Sequence, residues 1–217
     1  MLRAGFVPSA PLLVPDVAAG SAHLDDELRT ACAQVVADLI AAAPDEIVVG
    51  AGWEPGEWAG DASWDFVGFG VPRSPRPGLQ LPWPLGIGAW LLDQGGWTGG
   101  RRYVGVNAES ERLAGEARTA LLVVGDGSAA RSDRAPAYYD PRAEGFDTAI
   151  AGHLARGDVA GLGGVDQALA AELGCGGWAA WRWAAATIGD RPVSAAQLAA
   201  HVAPYGVGYF VARWVLG

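Results

Sequence analysis

Three side chains supply all the imidazole in this chain: His23, His153 and His201. His23 and Glu27 stand four apart, which would put two metal ligands on one face of a helix. The pair sits among Asp25, Asp26 and Glu27, however, and a solvated acidic first turn is the plainer reading. His153, within Ala151-Gly-His-Leu-Ala-Arg156, reads as a surface helix residue, and His201 as one that packs locally ahead of a final strand. No two histidines have zinc-finger spacing and there is no Cys-x-x-Cys. The next candidate group is Gly125-Asp126-Gly127-Ser128, which follows the most apolar strand candidate of the chain. A serine nucleophile there would need the elbow Gly-x-Ser-x-Gly, but position 130 is alanine. It would also need a histidine partner, and none stands beside a convincing motif, so a serine hydrolase is disfavoured. Asp126 at a strand end could instead hold a polar ligand group or simply cap the loop that follows.

Two glycine-rich stretches bear on nucleotide binding. Gly50-Ala-Gly52-Trp53-Glu54-Pro55-Gly56 follows a strand, but a dinucleotide site needs a helix to begin there so that free N–H groups meet the pyrophosphate. Pro55, Trp53 and the acids Glu54 and Glu57 oppose that. Gly86-Ile-Gly88 follows a proline rather than a strand and is weaker still. The chain has no lysine, so a Schiff-base lysine and a phosphate-loop lysine are both excluded.

The elements that must position these groups can be read from periodicity. Residues 3–7 read as a short strand stopped by Pro8 and Pro11; the exit Val7-Pro8-Ser9-Ala10 is of the kind that lines ligand sites in α/β folds. A helix is predicted from about Ser21 to Ala42, with Leu24, Leu28, Cys32, Val35, Val36, Leu39 and Ile40 on one face. Strands are predicted at 46–50, 64–69, 102–106 and 120–124, and a helix at 85–92. Further helices fall near 144–156, 165–173 and 177–188. A closing aromatic strand is predicted at 205–214. Strands alternating with helices predict one α/β domain spanning 1–217, a mostly parallel mixed sheet flanked by helices on both faces.

Composition limits the partners. The chain has 217 residues, 51% of them hydrophobic and 18% charged, with a net charge of −9. A polyanion such as DNA or RNA would be repelled. No apolar run is long enough to span a bilayer, and residues 1–17 lack a signal peptide's continuous apolar region. With only Cys32 and Cys175, a disulfide framework is not expected, and a reducing cytoplasmic setting is. Ten tryptophans are present. Trp90 and Trp181 read as core filling, whereas Trp53 and Trp58 fit either an aromatic pocket or loops pinned to the sheet.

Several segments, taken in order, resemble the catalytic-subunit family of class III extradiol ring-cleavage dioxygenases, which includes the protocatechuate 4,5-dioxygenase beta subunit and the MEMO-like proteins. They are Phe6-Val-Pro-Ser-Ala-Pro-Leu-Leu13, Ile47-Val-Val49 and its loop, and Leu121-Leu-Val-Val-Gly-Asp-Gly-Ser128. Phe146-Asp147, Arg156-Gly-Asp158, Cys175-Gly176 and Tyr205-Gly-Val-Gly-Tyr209 follow. The resemblance implies a pocket at the strand ends where Fe(II), held by two histidines and a carboxylate, binds a catechol and O₂. It also implies association, as a homo-oligomer or with a small partner subunit. The chain departs from that pattern at the positions that matter. Ser9 stands where the first ligand histidine is expected, Gly52 near the second, and Ala129 where the acid–base histidine is expected. The carboxylate ligand would fall near Cys175, with Glu172 the nearest acid. The expectation is therefore a binding or scaffolding protein without a metal cofactor. Its pocket would be edged by Ser9, Gly52, Trp53, Asp126, Ser128 and Ala129 and would accept a small aromatic ligand. The competing expectation is an active enzyme, either a dioxygenase with atypical ligands or a metal-free enzyme in which Asp126, Ser128, Asp133 and a histidine converge.

Overall fold

The computed structural model describes residues 3–18, 26–71, 78–113 and 118–217. Ser21, His23, Leu24 and Asp25 lie outside the described residues. Strand β1 (Arg3–Val7) leads through a 3-10 turn to the short helix α1 (Pro15–Ala18) and then to α2 (Asp26–Ala41). Strands β2 (Glu46–Gly52) and β3 (Gly56–Ala59) precede α3 (Trp83–Gln94), β4 (Gly100–Val106) and β5 (Thr119–Val124). Four helices follow, α4 (Arg142–Arg156), α5 (Val159–Gly163), α6 (Gln167–Glu172) and α7 (Trp178–Ile188). The chain then returns to the sheet as β6 (Val193–Val202) and β7 (Tyr209–Leu216).

The seven strands form one mixed sheet in the order β3-β4-β2-β5-β1-β7-β6. Its centre is parallel: β4 pairs β2, β2 pairs β5 and β5 pairs β1, while β3, β7 and β6 add antiparallel edges. Helices cover both faces, as an α/β sheet with near-continuous apolar strands requires. Val35, Val36 and Leu39 of α2 pack with Ile87 and Leu91 of α3 against Val7, Val49 and Leu122 on one face. On the other, Ile150 and Leu154 of α4 and Trp181 and Trp183 of α7 pack with Phe6, Leu121, Val123 and Trp214. β5 is buried along its whole length, which is why its sequence is apolar without alternation.

The predicted apolar stripe of α2 is buried at Leu28, Cys32, Val35, Val36 and Leu39. Burial pushes the Cys32 thiol far above its ordinary pKa. Residues 64–69 do not form the expected strand. The Asp65 carboxylate accepts the Val67 N–H at 3.3 Å, and a 3-10 turn at Val67–Phe69 ends on Gly70 at φ 86°. The final strand begins at Tyr209 rather than 205, because Gly206 at φ 76° turns the chain. His201 lies within β6, with its ring stacked on Phe210 at 4.9 Å. His153 is not a surface residue: it is half-buried, with Nδ1 2.8 Å from the Asp158 carboxylate. Trp90 and Trp181 are core residues as expected, while Trp53 is 42% exposed. Among the described residues no helix is long and apolar enough to cross a membrane.

Candidate functional site

The parallel register sets the site. Val7 of β1 and Ala51 of β2 both pair with Val124 of β5. Ser9, Trp53 and Asp126 each lie two residues past those paired positions, so the three strands deliver them to the same level at the carboxyl edge of the sheet. From there the chain leaves β1 toward α2, burying Ala10, Leu13 and Val14 in that layer. It leaves β5 toward α4, burying Ala130 in the opposite layer. Adjacent parallel strands whose connections depart on opposite faces open a crevice, the usual ligand position in open α/β sheets.

Ser9 and Asp126 bridge this crevice. The Ser9 N–H donates to Asp126 Oδ1 at 2.8 Å and the Ser9 hydroxyl donates to Oδ2 at 2.6 Å. Ser9 is buried and Asp126 half-buried. Burial pushes the Asp126 carboxyl up to about 6, against the two hydrogen bonds from Ser9, which pull it down. Desolvation thus outweighs hydrogen bonding here.

The loop before α7 is clamped onto the same edge. Gly177 N–H donates to the Asp126 carbonyl at 2.7 Å, and the Cys175 thiol lies 3.5 Å from that oxygen. Burial raises the Cys175 thiol to about 12, so it is no thiolate nucleophile at neutral pH. A Cβ at Gly52 would stand 2.6 Å from the Gly176 carbonyl oxygen. Gly52→Ala should therefore cost about 1–2 kcal/mol through displacement of that loop, read as a lower thermal midpoint; an unchanged midpoint would mean the loop moves away freely.

Ser128 and Ala129 turn to the other side. The Ser128 N–H and hydroxyl both donate to the Asp147 carboxylate of α4 at 2.8 Å, and Arg131 Nη1 donates to the same carboxylate at 3.1 Å. Ala129 N–H donates to the Leu173 carbonyl at the end of α6. Glu172 is exposed and pairs with Arg142 at 2.8 Å. Asp133 is exposed on a loop beside Tyr138 and Tyr139. The expected pocket is thus divided: Ser9 and Asp126 meet at the β1–β5 crevice, Trp53 stands at the same level of the sheet edge just past β2, Gly52 abuts the Gly176 loop, and Ser128, Ala129, Asp133 and Glu172 do not join them. Arg131 and Asp147 complete a buried polar group whose role the spacing did not reveal, although Asp147 stands in the resembling Phe146-Asp147 segment and in the apolar stripe of α4.

The residues at the expected ligand and base positions do not fit Fe(II). Ser9 spends its hydroxyl on Asp126, Gly52 has no side chain and no room for one, and Ala129 offers no donor. Among the described residues no group of three or more histidines, cysteines or carboxylates is placed to hold a metal. Nor does the Gly50–Gly56 stretch open a helix: β2 continues to Gly52 and β3 starts at Gly56, leaving no helix N-terminus for a pyrophosphate. The chain matches no family model and no curated protein.

Proposed function

We propose that this chain is a metal-free binding or scaffolding protein built on the class III extradiol dioxygenase plan, whose ligand sits in the crevice between β1 and β5. The order of the resembling segments supports the plan, and the parallel centre of the sheet is compatible with it. The observation that carries the ligand site is the Ser9–Asp126 pair across a topological switch point. Iron-dependent ring cleavage needs two imidazoles and a carboxylate around Fe(II), and a further base to move the proton. Ser9, Gly52 and Ala129 supply none of these. A small aromatic ligand bearing a hydroxyl suits what remains: the carboxylate of Asp126 accepts the hydroxyl and the exposed face of Trp53 offers a stacking surface.

The test uses untagged protein reconstituted anaerobically with Fe(II), its metal content read by mass spectrometry, and an amide NMR titration with protocatechuate as the probe. The expected result is iron well below one per chain, with chemical-shift changes centred on Ser9, Trp53 and Asp126. One tightly held iron per chain would overturn the metal-free reading, and shifts confined to other residues would overturn the site.

A second reading, a metal-free enzyme using the same crevice, draws on Asp126 alone. A carboxyl titrating at about 6 suits general acid–base work near neutral pH. Turnover abolished by Asp126→Asn with protocatechuate binding retained would favour it over a purely binding role.

A further inference from the structure

Three strands set polar side chains on one face of the sheet, beside the last turns of α2. Arg3 and Gly5 alternate onto the same face of β1. A Cβ at Gly5 would meet Val35 and Leu39, so this is the α2 face. In register, Arg3 stands opposite Val215 of β7 and Gly5 opposite Arg213. Val215 and Arg213 in turn stand opposite Ala195 and Gln197 of β6. Arg3, Arg213 and Gln197 therefore share one face, with Arg3 diagonal to Arg213 across adjacent strands. A cavity of about 310 Å³ lies between these side chains, the small Ala195, and Asp38 and Leu39 of α2. That volume is at the lower end for small-molecule pockets.

The donors and acceptors around the cavity do not balance. Arg213 is engaged on both sides: Nη1 pairs with the Asp38 carboxylate, while Nε and Nη2 donate to Gln197 Oε1 at 2.9 Å and 2.6 Å. The amide oxygen of Gln197 is thereby taken, and its NH₂ group is left as a donor. Arg3 is half-buried and, among the described residues, has no hydrogen bond or ion pair. The cavity thus presents the guanidinium of Arg3 and the amide N–H groups of Gln197, while its one carboxylate is already committed. Two arginines against one aspartate leave the lining with one net positive charge, in a chain whose net charge is −9. The remaining walls, Leu39, Ala195 and Val215 among them, are hydrocarbon.

We propose that this cavity is a second binding site, for a small monocarboxylate with a short aliphatic body. The planar fork of Arg3 matches the two oxygens of a carboxylate, and the Gln197 amide supplies a further donor. The aliphatic body lies against Leu39, Ala195 and Val215. Charge sets the class of ligand. One net positive charge compensates one negative, whereas a phosphate dianion would bring a second charge beside Asp38 in a chain that already repels anions. A cation of the same shape meets two arginines and is rejected. Arg3 opens β1 and Ser9 follows its far end, six residues or roughly 20 Å away. The site is therefore separate from the crevice, and the proposal is independent of the ligand reading there.

The test titrates the full chain with butyrate, and with n-butylammonium as the charge-reversed control, at constant ionic strength and with amide NMR shifts as the readout. Butyrate should give saturable shifts centred on Arg3, Gln197 and Arg213, with a midpoint in the low-millimolar range, and butylammonium none there. Arg3→Gln removes the charge and the fork and should weaken butyrate about tenfold or more. Arg3→Lys keeps the charge without the fork and should fall between the two. Since Arg3 has no partner among the described residues, both variants should melt close to the wild type. Butyrate shifts that do not saturate in the millimolar range, or that centre elsewhere, would overturn the proposal. So would an equal response to butylammonium, or wild-type affinity in Arg3→Gln. Inorganic phosphate binding at these residues more tightly than butyrate would overturn the monocarboxylate class. Should Arg3→Gln misfold, Arg3→Lys and the contrast between butyrate and butylammonium decide.

Discussion

Asp147→Ala should lower the stability of this protein by about 3–5 kcal/mol, the scale on which a buried charge is stranded when its partner is removed. Asp147 is fully buried in α4 and serves three donors at once, the Ser128 N–H, the Ser128 hydroxyl and the Arg131 guanidinium. Truncation leaves both Ser128 donors without an acceptor, and leaves Arg131, only 17% exposed, with the exposed Glu144 carboxylate at 3.6 Å alone. The loops around the carboxylate are tight. A Cβ at Gly208 would stand 2.3 Å from one of its oxygens and a Cβ at Gly127 2.7 Å from the other. Neither loop can therefore reorganise without losing the bonds that join them, Gly127 N–H to the Gly208 carbonyl and Gly208 N–H to the Ser128 carbonyl. At 2–4 °C per kcal/mol for a chain of this size, the thermal midpoint should fall by about 6–20 °C. Glu172→Ala, which removes an exposed pairing with Arg142, is the control and should move the midpoint little. If Asp147→Ala melts with the wild type, the carboxylate is not the anchor of the β5 exit.

The consequences reach the crevice, because the same Gly125–Ser128 segment carries both groups. Asp126 bonds toward β1 and Ser128 toward α4, with Gly127 between them. Loosening Ser128 frees the segment that aims Asp126. Asp147→Ala should thus weaken binding of protocatechuate in addition to destabilising the fold.

Much of this arrangement is legible in the sequence, and the failures have physical causes. The stripe of α2 and the unbroken apolar run of β5 follow directly from periods of 3.6 and from two-sided burial. β6 escapes because Ser-Ala-Ala-Gln-Leu-Ala-Ala has the composition of a helix; pairing with β7 overrides a weak intrinsic preference. β3 is four residues long and holds its place by pairing with β4, which no local pattern announces. Residues 64–69 are aromatic and strand-like in composition, yet the Asp65 cap and Gly70 make a turn, a case where turn chemistry beats propensity. At the site, Ser9 and Asp126 are visible as residues at strand ends. Their contact across 117 positions needs the strand order, which places β5 rather than β2 beside β1. The division of Asp126 from Ser128 is likewise set by which face each connection takes. Asp147 stands in one of the resembling segments, but its role does not show there: an acid in a helix reads as solvated unless its buried partners are known.

Asp126→Asn should gain stability on the wild type as pH rises from 4 to 6.5, because it removes a loss that the wild type suffers over that interval. The carboxyl of Asp126 titrates at about 6 in the folded protein, against an ordinary value of 3.8. A folded group with the higher pKa holds more protons than the unfolded chain across that interval. Its contribution is therefore fully present below pH 4, is lost as pH rises through 6, and stays lost above. Two pKa units correspond to roughly 2–3 kcal/mol. Asparagine cannot ionise, yet it can keep both bonds to Ser9: its carbonyl oxygen accepts the Ser9 N–H, and its amide donates to the Ser9 hydroxyl oxygen. Wild type and variant should have similar unfolding free energies near pH 4, and the variant should gain roughly 2 kcal/mol by pH 7. Other carboxylates titrate in both proteins and cancel in the difference, so the difference curve reports Asp126 alone. Ser9→Ala should move its midpoint upward, since it removes a hydrogen bond that favours the ionised form. A flat difference curve would mean that water reaches the carboxylate and relieves its desolvation. Asp126 would then be an ordinary solvated cap on the β5 exit, and both the ligand site and the acid–base reading would lose their principal residue.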